Sequence, residues 1–247
     1  MSTVIIDDNG VTLIASSNGL LTITIDRTQN FFNPLLISSL STAIQKVEEA
    51  EHPKALIITG TGKFFSNGLD LSYMQEHGSE GTAIMIESCW RLLARILVMD
   101  CRTVAAINGH GFGAGLFLAL ACDYRIMRTR RGYLNFPEVN LGMTFAQGSA
   151  QLIKCKITNS ALLRESVLTG KWYSSGDAMA VGMIDEECAM EDLSDRAIAC
   201  AVAGFPENLN AEYFNPDNFK KIKIELYVDA YRALTLGKIN TLPESRL

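Results

Sequence analysis

No C-x-x-C pair occurs in this sequence, and its three histidines stand apart from the six cysteines at positions 89, 101, 122, 155, 188 and 200. That excludes the disulfide framework of a small secreted scaffold and the ligand spacing of a zinc site; a reducing compartment is expected and no metal site is implied. Cys89, Cys122 and Cys200 sit among apolar neighbours, where a free thiol packs as a small hydrophobe. Positive charge is not in surplus either. Against 27 Asp and Glu stand 22 Lys and Arg, a net charge of −5 that argues against a nucleic-acid surface. The densest basic cluster, Arg128, Arg130 and Arg131, reads as a solvated turn, with a phosphate-facing patch as the alternative. The longest apolar run lies within residues 111–122, short of the roughly 20 residues that span a bilayer, so no membrane insertion is expected. The opening MSTVIIDDNG lacks the basic region and apolar core of a secretory leader.

What is present is ordinary globular material: 247 residues, 48% hydrophobic and 20% charged, enough for one large domain or two small ones. VTLIAS (11–16) and LLTITID (20–26) flank Asn18-Gly19, a strong short-range hairpin signal. After Asn33-Pro34, apolar residues at helical spacing predict a helix over 34–50. ALIITGTG (55–62) and TVAAINGHG (103–111) are continuous apolar runs ending in glycine, the pattern of buried strands. Residues 79–98 read as a second helix with Ile84, Ile86, Trp90, Leu93 and Leu97 on or near one face, and 113–122 as a buried helix. YRIMR (124–128) and YLNF (133–136) read as short strands, Pro137-Glu138 opens a new segment, and MIDEEC (183–188) is a candidate strand. From about residue 148 the pattern is mainly helical. The sum is an α/β chain, a strand-rich core followed by a helical tail.

Two places carry the same device. In GKFFSNGLDL (62–71) a strand has ended and Gly68 permits a tight turn before Leu69; in NGHGFGAG (108–115) a strand runs through glycines into a buried helix. Glycine admits positive φ and close approach to its amides, and a helix start carries unpaired N–H groups and the positive end of a dipole. Two such turns side by side would aim two N–H groups at one developing oxyanion. Each alone is also plain strand-to-helix connectivity. A dinucleotide fingerprint is excluded: the segment offers G-x-G-x-G, and Asp123 follows too closely to meet a ribose.

The stretches KFFSNGLDL, VAAINGHGFGAGLFLALACDYRIM, LNFPEVNLGM and VLTGKWYSSGDAMAVGMID together resemble the crotonase (enoyl-CoA hydratase/isomerase) superfamily, in order from about residue 12 to 188. The resemblance implies a β-β-α spiral core over residues 1–190 and a C-terminal helical region over 191–247 that drives assembly into a homotrimer or hexamer. It implies an acyl-CoA thioester as substrate, with no other cofactor, and an oxyanion hole made by the backbone N–H groups of Leu69 and Ala114. Contacts to the acyl-CoA are implied for Phe65, Ser66, Asn67, Gly68, Leu69, Gly113, Ala114 and Phe117. Asp70 reads as a loop-orienting residue, and Lys220, Lys221 and Lys223 as a solvated face, with CoA phosphates as the alternative. His110, beside the glycine turn, is assigned no role.

Hydratases of this superfamily carry two glutamates. Here the first falls on Phe117, which transfers no proton, and the second on Glu138. Adding water needs help on both the water and the α-carbon, whereas a 1,3-proton shift needs one base. The pattern therefore resembles the Δ3,Δ2-enoyl-CoA isomerase branch, with Glu138 catalytic. From the residues alone, Glu138 after Pro137 reads instead as a solvated carboxylate in a first helical turn. Phe117, Phe136, Leu141, Met143 and Phe145 imply apolar surroundings that would raise its pKa. The alternatives are a hydratase or thioester hydrolase recruiting a second acid that the sequence does not place, with residues 72–88 as one source, and a non-catalytic acyl-CoA-binding protein. The chain ends Ser245-Arg246-Leu247, the peroxisomal Ser-Lys-Leu with arginine for lysine; a peroxisomal location and an import receptor as partner are expected.

Overall fold

The computed structural model describes residues 2–203 and 214–236; Ser245-Arg246-Leu247 lies outside them. The chain opens with β1 (Ser2–Asp8), β2 (Val11–Ser16) and β3 (Leu20–Ile25), an antiparallel meander. From β3 onward the sheet is parallel, through β4 (Ala55–Gly60), β6 (Arg102–Ile107), β8 (Tyr124–Arg128) and β10 (Glu186–Cys188), in the order β1-β2-β3-β4-β6-β8-β10. β4 and β6 are buried on both faces. Leu56, Ile58, Ala105 and Ile107 join the main core, while Ala55, Ile57, Val104 and Ala106 pack on the opposite face under Leu193, Ala197 and Ala201 of α7 (Leu193–Val202). That is why these strands read as unbroken apolar runs.

A second sheet of three short parallel strands, β5 (Phe64–Ser66), β7 (His110–Phe112) and β9 (Leu134–Asn135), sets up the site. Each follows a strand of the large sheet and precedes a helical segment. β5 leads to α2 (Leu71–Leu97), β7 to α3 (Ala114–Ala121), and β9 to a 3₁₀ turn, Glu138–Leu141. Because the three strands are parallel neighbours, their C-terminal ends emerge along one edge.

The helix over 34–50 is found as α1 (Pro34–Glu49), started by Asn33, whose Oδ1 accepts from the Leu36 N–H at 3.1 Å with Pro34 in the first turn. Three expectations need correction. The run 103–111 is two strands, because Asn108 breaks it: its Oδ1 accepts from Gly60 N at 3.1 Å and its Nδ2 donates to Gly62 O at 3.3 Å. The helix expected at 79–98 starts at Leu71, capped by Asp70 and kinked at Gly78 (φ 61°, ψ −161°), and Ile84 is exposed rather than on the buried face. Lys223 is not on a solvated face. It lies on α8 (Pro216–Leu226) 5% exposed, donating to Asp123 Oδ2 at 2.7 Å and to Cys101 O at 3.0 Å, whereas Lys220 and Lys221 are exposed. Behind the turn at Glu138–Leu141, α4 (Gln147–Lys156) packs against α3 and against α9 (Val228–Leu236). No helix among the described residues is long and apolar enough to cross a membrane.

Candidate active site

Three backbone segments meet at the edge of the small sheet, and each is fixed from below. The first is Asn67-Gly68-Leu69. Buried Asn30 donates from Nδ2 to the carbonyls of Phe64 (2.9 Å) and Phe65 (3.2 Å), holding β5. Ser66 Oγ donates to Asn30 O at 2.7 Å and accepts from Gly68 N at 3.2 Å. Phe32 grips the residues either side of Leu69, its N–H donating to Gly68 O (2.8 Å) and its carbonyl accepting from Asp70 N (3.0 Å). Gly68 stands at φ +85°, and a Cβ there would lie 2.8 Å from the Phe112 carbonyl oxygen and 3.6 Å from the Ala114 nitrogen. The two glycine turns are therefore packed on each other.

The second segment is Gly113-Ala114. Gly113 N donates to Asn135 O at 3.0 Å, and Gly113 O accepts the first helical bond from Phe117 N at 3.0 Å. Ala114 is the first residue of α3, an eight-residue helix buried along its whole length. Gly115 follows because the helix presses onto β5: a Cβ there would sit 2.5 Å from Ser66 O. Among the described residues the amides of Leu69 and Ala114 donate to no protein acceptor. Both segments line one cavity of about 120 Å³. Ala114 adds the positive end of a helix dipole to its N–H.

The third segment is Pro137-Glu138. The 3₁₀ turn closes through Gly142, in the left-handed region at φ 65°, with Met143 N donating to Glu138 O at 2.9 Å. The carboxylate bends over Gly113: Glu138 Oε1 lies 3.5 Å from where a Gly113 Cβ would be, and Oε2 is buried with no partner among the described residues. Burial pushes the Glu138 pKa up from 4.5 to about 7, against a smaller lowering by its own backbone N–H. The solvated-carboxylate reading of Glu138 is thereby corrected.

The cavity walls are mainly apolar. Phe117 and Phe145 line the cavity and pack on Phe136 behind them, ring centroids 5.3–6.1 Å apart, α2 supplies Ile86, Cys89, Trp90 and Leu93, and Asn67, Thr144 and Ser149 are the polar uncharged side chains of the lining. Glu138 is the one carboxylate among the described residues lining it. Of the stretch 72–88 only Ile86 lines the cavity, and none of its carboxylates does. Among the described residues no three His, Cys, Asp or Glu side chains converge as a metal site.

Of the residues singled out in the sequence, Asn67, Gly68, Leu69, Gly113, Ala114, Phe117 and Glu138 line this cavity together. Phe65 and Ser66 do not; both are wholly buried beneath it, and Ser66 braces the Gly68 turn. Asp70 caps α2, its Oδ1 accepting from Tyr73 N at 3.1 Å. His110 sits outside the cavity in an aromatic cluster with Phe64, Phe112 and Tyr133. Arg130 and Arg131 are exposed and Arg128 half-buried. Three residues of the site were not singled out in the sequence: Asn30, which holds β5, Phe32, which grips the residues either side of Leu69, and Ser149, which lines the cavity; Ile86, Trp90 and Leu93 were read only as lying on or near one face of a helix.

A family model described as enoyl-CoA hydratase/isomerase matches residues 15–209. The chain is 35% identical over 213 residues to enoyl-CoA delta isomerase 2, peroxisomal, of Arabidopsis thaliana, covering 84% of this chain and 88% of that protein. It is 33% identical over 224 residues to enoyl-CoA delta isomerase 3 of the same plant, covering 90% and 93%. Among solved structures, an enoyl-CoA isomerase from Mycobacterium tuberculosis superposes with a TM-score of 0.80 at 25% identity, over 93% of this chain and 96% of that one.

Proposed function

The chain belongs to the enoyl-CoA hydratase/isomerase family, and we propose that within it this protein converts 3-enoyl-CoA to trans-2-enoyl-CoA with Glu138 as its single acid/base. Its fold is that family's α/β spiral with a helical C-terminal region, and acyl-CoA is the substrate class consistent with it. The observation that supports the finer reading is that Glu138 is the single carboxylate among the described residues lining the cavity, with Phe117 at the position where the resemblance puts a hydratase's other glutamate.

The thioester oxygen accepts from the Leu69 and Ala114 N–H groups, which stabilises the negative charge that develops there. Glu138 takes a proton from C2, and the electron pair moves into a dienolate spread over the thioester oxygen and C1 to C4. The same carboxyl group then gives the proton to C4, leaving the double bond between C2 and C3. No water is consumed and no second acid is needed. A base with a pKa near 7 holds enough charge at neutral pH to act and returns its proton readily. The apolar walls accept the acyl chain, and the Asn67–Leu69 and Gly113 segments would hold the thioester and its pantetheine, with Phe65 and Ser66 acting from beneath. A role in β-oxidation of unsaturated fatty acids, in the peroxisome after recognition of Ser245-Arg246-Leu247 by an import receptor, and assembly as a homotrimer or hexamer belong to the same proposal.

The test is conversion of a 3-enoyl-CoA to the conjugated thioester by wild type, Glu138→Gln and Glu138→Asp. The proposal expects turnover in wild type, loss in Glu138→Gln and partial activity in Glu138→Asp. Acyl-CoA binding without turnover in any of them contradicts it.

A further inference from the structure

α3 begins at the Ala114 amide assigned to the oxyanion hole and ends, seven residues later at Ala121, beside a cluster of largely buried charge. Its negative end is marked by the Cys122 carbonyl, which accepts from Arg125 Nη1 and from Lys156 Nζ, each at 3.2 Å. Two neighbouring cations are matched by carboxylates: Arg125 pairs with Asp185 at 2.9 Å and Lys223 with Asp123 at 2.7 Å. Lys156, the last residue of α4, forms no ion pair among the described residues. Its ammonium sits 4.2 Å from the centre of the Tyr227 ring, at the end of α8. Among the described residues the cluster therefore holds one positive charge in surplus, bonded to the carbonyl of Cys122, the extended residue that caps the C-terminus of the helix whose N-terminus supplies Ala114.

We propose that Lys156 is a positioning residue for the oxyanion hole, its ammonium neutralising the negative end of α3 so that the positive end acts on the substrate oxygen unopposed. The inference rests on Ala114 being an oxyanion donor. A helix of this length separates its two ends by about 12 Å. A unit charge just beyond the far end, at the effective dielectric of a protein interior, changes a developing negative charge at the near end by about fivefold in rate.

The groups facing Lys156 are Asp123 and Arg125 beyond the end of α3, Cys155 on its own helix, and Lys223 and Tyr227 on α8. Asp229 and Arg232 of the adjacent α9 are exposed. Burial, the dominant influence, lowers the Lys156 pKa from 10.5 to about 8. Two opposite consequences follow above pH 8. The oxyanion loses its distant counter-charge and turnover steps down. Stability rises between pH 8 and 10.5, because there the unfolded chain binds the Lys156 proton that the folded chain has released. A lysine that merely held the fold together would lower both.

The experiment compares wild type, Lys156→Met and Lys156→Arg from pH 6 to 9.5 in turnover of 3-enoyl-CoA, thermal unfolding, and the infrared carbonyl stretch of bound 2-enoyl-CoA. Wild type should show an alkaline step of about fivefold in kcat with KM little changed. Lys156→Met should run about fivefold below wild type up to pH 8 and converge with it above, on the same rise set by Glu138, without melting lower than wild type above pH 8; Lys156→Arg should keep the wild-type level with no alkaline step. The bound carbonyl should be shifted less in Lys156→Met than in wild type, a readout that needs no turnover. A wild type that polarises the carbonyl in this way without isomerising overturns the proposed reaction and keeps the role of Lys156. Equal carbonyl shifts in wild type and Lys156→Met overturn that role whichever reaction runs. If Lys156→Met does not fold, the same carbonyl contrast is read at pH 7 and pH 9.5 in Glu138→Gln, where the carboxyl that titrates near pH 7 is absent and Lys156 alone loses its charge.

Discussion

Replacing Glu138 by glutamine should cut turnover by orders of magnitude and make the protein more stable. The buried carboxyl has a folded-state pKa of about 7 against an ordinary value of 4.5. At 1.36 kcal/mol per unit, keeping the charge in the cavity at pH 8 costs roughly 3 kcal/mol, an upper bound because solvent entering the pocket softens it. The sign follows from linkage. A carboxylate with a raised folded pKa contributes stability that is fully present below pH 4.5 and lost as pH rises through 7, because the folded state then holds a proton the unfolded state has released. Glutamine fills the same space without ionising. Glu138→Gln should therefore melt higher than wild type at pH 8, by up to about 8 °C for a chain of this size. The gain should shrink through pH 6 and vanish near pH 4. Turnover should fall by about 10²–10⁴-fold, the usual contribution of a general acid/base. Thermal unfolding across this pH range, with turnover in parallel, reads both. An inactive variant that melts with wild type at pH 8 refutes the burial account, and an active one refutes the role of Glu138.

Other perturbations separate the backbone from the base. Ala114→Pro removes an amide that bonds to no acceptor among the described residues, at a position proline tolerates, so turnover should drop about 10²–10³-fold with a melting temperature within a few degrees of wild type. Gly68→Ala drives a Cβ to 2.8 Å from the Phe112 carbonyl at φ +85°, and should cost about 1–3 kcal/mol in denaturant titration together with most of the activity. Lys223→Met takes the ammonium donor from the partly buried Asp123 carboxylate, leaving it Thr103 N and the more distant Lys156, and should destabilise by about 1–3 kcal/mol; adding Asp123→Asn should recover part of that loss.

How legible the site was in the sequence depended on how local its determinants are. Asn33-Pro34 starts α1 where the motif says, and YRIMR is β8 residue for residue, because a cap or an apolar run is written in adjacent positions. The glycines around Gly68 and Gly113 were legible as turns because positive φ admits little else. β5 and β7 were hidden for the opposite reason: each is three residues long and pairs with a partner more than 40 residues away, as Phe64 does with His110. Lys223 sits in a lysine-rich stretch of solvated appearance, and only folding brings Asp123, 100 residues earlier in the chain, beneath it. Glu138 was the sharpest case. Its neighbours described a first helical turn, while its burial is assembled from α2, Phe117 and residues 143–146.

The central claim, one base and no second acid, is tested most directly by giving the wild-type protein a 3-enoyl-CoA and, separately, a 2-enoyl-CoA, and weighing the products. The account predicts that the 3-enoyl thioester becomes its conjugated isomer at unchanged mass and that the 2-enoyl thioester gains no water. A product heavier by one water from either substrate would contradict it.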